Sequence, residues 1–180
     1  MKKIKDRVTL SILAGGIGFL FLIATDMFSN RLGISKRSYP TTAAGIWVSS
    51  RKQAESWQGQ LLGIFMTFGL CAIGAMKQIK VLSIYGKDQL LAKGIYFGAA
   101  FGAIINAGLS GLTNKKIKPK DASSNLSYVL SSTIYGIITT FAAAKLGDDT
   151  LFDASPVNNQ ISQTGKTTEE LRLEKQLQEG

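Results

Sequence analysis

The sequence predicts an all-α membrane protein: a four-helix transmembrane bundle with a short polar C-terminal tail. Three observations lead there. Four mostly apolar runs reach the roughly 20 residues needed to cross about 30 Å of hydrocarbon. Within them glycine and alanine recur at intervals of four, and the charges fall in blocks between the runs. No run alternates apolar and polar residues as a barrel strand does, so helices are the expected spanning form.

The first run, VTLSILAGGIGFLFLIATDMF at about 8–28, follows the basic opening MKKIKDR and holds one charge, Asp26, near its far end. A cleaved secretory signal begins similarly, but this stretch is longer than usual, and IATDMFSN offers no clear small-x-small cleavage site. The second run starts with GQLLGIFMTFGLCAIGAM at 59–76 and extends to about residue 85. The stems of Lys77 and Lys80 lie along lipid there while their ammonium groups reach the interface, and Gly86 stops the helix. Between these runs, residues 29–58 form a polar link with a short surface helix expected at 41–50, and Tyr39, Trp47 and Trp57 suit the headgroup region.

The third run, LLAKGIYFGAAFGAIINAGLSGL at 90–112, places Lys93 where it can snorkel at one end. The fourth, LSYVLSSTIYGIITTFAAAKL at 126–146, has recognisable helix ends: Asp121 for an N-cap, Lys145 in the last turn and Gly147 for a left-handed C-cap. Burying all four in a soluble bundle would require polar faces at helical spacing, which the first and third runs lack. The expected transmembrane domain therefore covers 1–147, and 148–180 is an acidic, flexible tail.

The glycines fit that placement. Lipid gives little hydrophobic drive between helices, so association depends on close approach at small residues. At a spacing of four, Gly94, Gly98 and Gly102 lie along one face of the third helix and continue to Asn106, while Ala99, Ala103, Ala107 and Gly111 form a neighbouring stripe. Matching small surfaces are Ala14 with Gly18, Gly59 with Gly63, and Ser132, Gly136, Thr140 and Ala144. These stripes are expected to hold the helices of one chain together, and the double stripe of the third helix also suits a homo-oligomer.

An ionisable group inside a membrane is a functional candidate by default. Asp26 is the one carboxylate within the four runs. Its position about a turn from the end of the first run predicts that it reaches the interface or meets a lysine there; a place in an ion path is the sharper reading. Asn106 is expected to bond across helices, and the hydroxyls of Ser131, Ser132, Thr133, Thr139 and Thr140 to bond carbonyls of the preceding turn. The chain has no histidine, the usual proton shuttle and transition-metal ligand, and its lone Cys71 reads as a small packing residue. A second intramembrane carboxylate, a P-loop, a CxxC and an HExxH are all missing, and GKT at 165–167 lacks the upstream glycine of a phosphate loop. No catalytic residue, metal site or cofactor is expected, and an ion-coupled transporter is disfavoured.

Charge identifies the expected partners. Lys and Arg number 21 against 12 acids, for a net +9. Residues 1–147 hold 18 of those bases and 5 of the acids, whereas 148–180 hold 3 and 7. Because the bases lie between apolar runs, anionic lipid headgroups and not nucleic acid are the expected partners. Lys115, Lys116, Lys118 and Lys120 of the hairpin TNKKIKPKDASSN are the headgroup candidates. Four spans put both termini on one side, but nine Lys and Arg fall on each side. The short basic stretch beside the first span tips the preference to a cytoplasmic N-terminus. Beyond 168, TEELRLEKQLQEG has too few apolar positions for an independent domain and reads as a mobile tail, or as a docking peptide for a soluble partner.

KDRVTLSILAGGIG at 5–18, LLAKGIYFG at 90–98 and SNLSYVLSSTIYG at 124–136 resemble a group of uncharacterised small four-span membrane proteins of Gram-positive, spore-forming bacteria. The likeness covers about residues 5–153 and leaves the tail outside. It implies four helices and a bacterial plasma membrane, and brings no catalytic residue. The expected role is an integral membrane structural or assembly component, with a small holin-like pore and an anionic-lipid-binding factor as alternatives.

Overall fold

Helices start where the sequence supplies a side-chain acceptor. In the computed structural model, which describes residues 3–112, 121–152, 173 and 176–178, the chain forms α1 (Arg7–Arg31), α2 (Tyr39–Ala44), α3 (Arg51–Glu55), α4 (Trp57–Tyr85), α5 (Leu90–Leu112) and α6 (Ala122–Leu146). A 3-10 turn, Asp149–Phe152, follows. Asp6, Ser38, Ser50, Ser56 and Asp121 cap five of these helices, each accepting from the backbone N–H three residues on. Hydrogen bonds from Ser123 and Ser124 hold the Asp121 carboxyl down at about 2, and those from Thr9 lower Asp6. Both caps therefore stay ionised at neutral pH and lose their effect only as pH falls below the ordinary carboxylate range.

The fold is all-α, with no strand among the described residues. Helices α1, α4, α5 and α6 are long and apolar enough to cross a membrane, the content of a multi-pass membrane protein. α1 and α4 end at Arg31 and Tyr85, and α1 and α6 run a few residues beyond the expected 8–28 and 126–146. Gly86, at φ +76, ends α4 in a conformation that glycine adopts without strain. Lys93 turns back to donate to the carbonyls of Tyr85 at 2.8 Å and Gly86 at 3.1 Å, satisfying the C-terminal end of α4, and pairs with Asp88 at 2.7 Å.

α5 packs on α6, α6 on α1 and α1 on α4, with a narrower contact between α4 and α6, so α6 sits at the middle. Its contact with α5 is the most extensive in the bundle. A Cβ added to Gly98 would lie 2.5 Å from the Ser132 carbonyl oxygen, and one on Gly136 would lie 2.5 Å from the carbonyl oxygen of Gly94 and the Cα of Gly98. Gly94 and Gly102 complete the row against Ile137 and Ser132. The neighbouring stripe is placed differently: Ala103, Ala107 and Gly111 are exposed and Ala99 is half-buried. On α1, Gly15 meets Ala75 and the Cys71 carbonyl of α4, while Gly18 meets Tyr135 and Thr139 of α6.

Three local expectations need correction. Gly59 and Gly63 do not face another span; they admit the backbone of Gln53, Ala54 and Pro40 from the link before α4. Gly147 is not left-handed but extended, φ −72 and ψ 147, because it pairs as a parallel bridge with Ile4. Ile4 N–H donates to the Leu146 carbonyl at 2.9 Å, and Asp148 N–H donates to the Ile4 carbonyl at 2.9 Å. Residue 148 therefore does not begin a free linker. The turn Asp149–Phe152 folds back so that Phe152 packs with Leu10, Leu82 and Ala143, and Lys87 pairs with Asp149. The rest of the tail's expected linker, at 153–164, lies outside the described residues.

Candidate functional site

The most unusual local sequence is YPTTAA, a six-residue helix too polar to span and too short to show periodicity. Pro40 falls in the first turn, where its missing N–H leaves no helical bond unmade. All six residues of α2 are buried. The surface helix expected at 41–50 is thus a different element, ending at Ala44 and sunk among α1, α4 and α6. Tyr39 is 2% exposed and does not reach the headgroups. Trp47 and Trp57 are 63% and 68% exposed. What lets α2 in is the missing Cβ at Gly63, against which the Pro40 backbone rests.

Asp26 holds this wedge from below. It is 0% exposed, and its Oδ2 accepts a hydrogen bond from the Tyr39 backbone N–H at 2.7 Å. No lysine or arginine pairs with it among the described residues. The expectation that it reaches the interface or a lysine fails because α1 continues five residues past it, to Arg31, and residues 35–44 fold over it. Its Oδ1 has no partner.

Above Asp26 the link is stitched to α6. Ser29 and Ser127 share a hydrogen bond of 2.6 Å, and the Lys36 N–H donates to Ser124 Oγ at 3.0 Å. The Tyr128 hydroxyl donates to the Arg37 carbonyl at 2.7 Å and lies 3.1 Å from Thr42 Oγ1. The rings of Tyr39 and Tyr128 meet edge to face at 5.0 Å. From α4, Gln60 Nε2 donates to Thr41 Oγ1 at 2.8 Å and to the Ala54 carbonyl at 2.7 Å, tying α2 to the end of α3.

Further along α6 the polar seam continues. The Tyr135 hydroxyl donates to the Cys71 carbonyl at 2.6 Å, and Gln78 Nε2 donates to the Gly136 carbonyl at 2.8 Å and to Thr140 Oγ1. Cys71 is a buried free thiol. Thr133 and Thr140 bond the carbonyls one turn back, both at 2.8 Å, as expected. Ser131, Ser132 and Thr139 do not, and their hydroxyls join Asp26 Oδ1 and Gln78 Oε1 as buried polar atoms without a protein partner. Asn106 bonds across helices, donating to Asn125 Oδ1 at 3.1 Å.

The structure thus brings Asp26, Tyr39 and Tyr128 together, and sets the Gly94, Gly98 and Gly102 row on a neighbouring face of α6, against Ser132, Thr133, Ile137 and Thr140. Lys115, Lys116, Lys118 and Lys120 lie outside the described residues. Tyr128, Tyr135 and Gln78 were not singled out from the sequence, although Ser124, Tyr128, Ser131, Tyr135 and Thr139 recur every three or four residues and mark one polar stripe on α6. Chemically the seam offers one carboxylate, several hydroxyls and two amides. No group of three His, Cys, Asp or Glu gathers among the described residues. No known protein family, curated protein or solved structure matches the chain.

Proposed function

We propose that this protein is a non-catalytic structural or assembly component of a bacterial cell membrane, with its N-terminus in the cytoplasm. One observation supports this reading above the others: the hydroxyl-rich face of α6, the surface a channel would need, is turned inward onto α1 and α4 and covered at one end by α2. Tyr128, Tyr135 and Gln78 bond the link and the neighbouring helix, while Ser131, Ser132 and Thr139 face inward without a protein partner, an arrangement that favours a packed interior over an aqueous one. A helix row that would suit association with a second copy is already occupied within the chain, since Gly94, Gly98 and Gly102 meet α6. A homo-oligomer through α5 would have to use the exposed side of Ala103, Ala107 and Gly111.

A pore and a closed bundle differ in one direct consequence. Induced expression in a bacterium is expected to place the protein in the membrane fraction and to leave the membrane potential, read with a potential-sensitive dye, at its uninduced value. Prompt collapse of the potential would replace the structural reading with a permeabilising one.

A further inference from the structure

The outer surface between α1 and α4 carries a groove whose chemistry changes along its length. Toward the middle of the two helices it is apolar, an open pocket of about 630 Å³ lined by Phe19 and Phe68, whose rings meet edge to face at 5.6 Å, and by the exposed Leu61, Ile64 and Phe65. At Ile64 it adjoins a second pocket of about 310 Å³, between Ile23 and Met27 on one wall and Gln60 on the other, which ends at Asn30 and Arg31. From Phe19 to Arg31 is twelve residues of α1, roughly 18 Å at 1.5 Å per residue. That is close to the depth of one leaflet of a bilayer with a hydrocarbon core of about 30 Å.

The polar end has one cationic donor group, Arg31. Asn30 Nδ2 already donates to the Ser35 carbonyl at 2.9 Å, and Gln60 Nε2 to Thr41 and Ala54. Arg31 forms no ion pair among the described residues, and the one acid nearby in sequence on its helix, Asp26, is buried and turned to Tyr39. A guanidinium at the end of a span is a bidentate phosphate donor at headgroup depth.

The geometry points to a binding site for one anionic glycerophospholipid, with an acyl chain along Phe19, Ile64 and Phe68 and the phosphate on Arg31. Complementarity of charge selects the anionic headgroup: Arg31 is an unpaired cation in a chain of net +9. The site draws on residues other than the lysines at 115–120, and it rests on the membrane-embedded reading given above.

The test uses the full chain in nanodiscs containing equal phosphatidylglycerol and phosphatidylcholine, with retained lipid counted by native mass spectrometry. The unaltered chain is expected to retain phosphatidylglycerol in excess. Arg31→Gln is expected to lower that excess about tenfold, the size of a lost charged hydrogen bond. Arg51→Gln, whose native side chain pairs with Glu55 outside the groove, is expected to leave it unchanged. Ile64→Trp, which fills the junction of the two pockets, is expected to lower retention of both lipids, and it decides the matter if Arg31→Gln does not fold. Equal retention by the unaltered chain, Arg31→Gln and Ile64→Trp in a folded, membrane-inserted protein overturns this site alone. A protein missing from the membrane fraction overturns the site and the proposed function together.

Discussion

Asp26 presents the sharpest question at the level of single residues, because a buried carboxylate without a cation is costly unless hydrogen bonds or a neutral form relieve it. The structure supplies one bond, from the Tyr39 N–H at 2.7 Å, and leaves Oδ1 unmatched. Two substitutions separate the acceptor from the charge. Asp26→Ala removes the acceptor and orphans a buried N–H, and is expected to destabilise the folded protein by about 1–3 kcal/mol. Asp26→Asn keeps an oxygen for Tyr39 and removes the charge, so it should be at least as stable as the unaltered chain. Thermal unfolding in mild detergent gives the order. An Asn variant as unstable as the Ala variant would show that the charge itself is required, and the role of Asp26 as a clamp for α2 would have to be abandoned in favour of an ion site.

At the level of elements, the same residue type is placed in opposite situations on α5, and this yields a paired prediction. A Cβ on Gly98 would meet backbone atoms, the Ser132 carbonyl oxygen at 2.5 Å and the Thr133 Cα at 2.7 Å, neither of which can rotate away. Gly98→Ala should therefore force α5 off α6 at about 1–3 kcal/mol, the usual range for overpacking. Gly108 has nothing within 4 Å of its added Cβ, so Gly108→Ala should be neutral or stabilise by up to about 1 kcal/mol through helix propensity. Equal unfolding midpoints for the two variants would remove the Gly94, Gly98 and Gly102 row from the packing of this bundle. Those glycines were legible because a period of four is a property of one helix read alone. The four spans and the Asp121 cap were legible for the same reason. The α2 wedge was not. Six residues of tyrosine, proline, threonine and alanine have neither spanning length nor a readable period, and their burial is decided by Gly63 and Asp26, which lie on two other helices. Asp26 was misplaced with it, since its depth depends on what folds over the end of α1. Gly147 was assigned its usual C-cap conformation, and the competing bridge to Ile4 comes from the far end of the domain in sequence.

For the whole molecule, charge alone leaves the topology open, with nine Lys and Arg on each side, but the structure separates two ends that can be told apart chemically. One end joins residues 3–6 to the end of α6 through the Ile4 and Gly147 bridge, with Lys3 and Lys87 near Asp149. The other gathers α2, α3, the C-terminal end of α1 and the N-terminal end of α6. A single crossing by α1 requires that Lys5 at the first end and Lys52 at the second, both exposed, face opposite compartments. The protein provides its own background control, because the single thiol, Cys71, is 1% exposed within the bundle. A membrane-impermeant maleimide is therefore expected to leave the native chain unlabelled in intact vesicles and to label it after denaturation. Lys5→Cys and Lys52→Cys should each react from one side only, and from opposite sides, as sealed vesicles of the two orientations would report. If the cytoplasmic preference of the basic N-terminus holds, Lys5→Cys is the one that reacts in inverted vesicles. Reaction of both from the same side would contradict α1 as a single crossing joined to the α2 and α3 link, and with it the arrangement in which α6, packed between α1 and α5, is the middle helix of a four-span bundle.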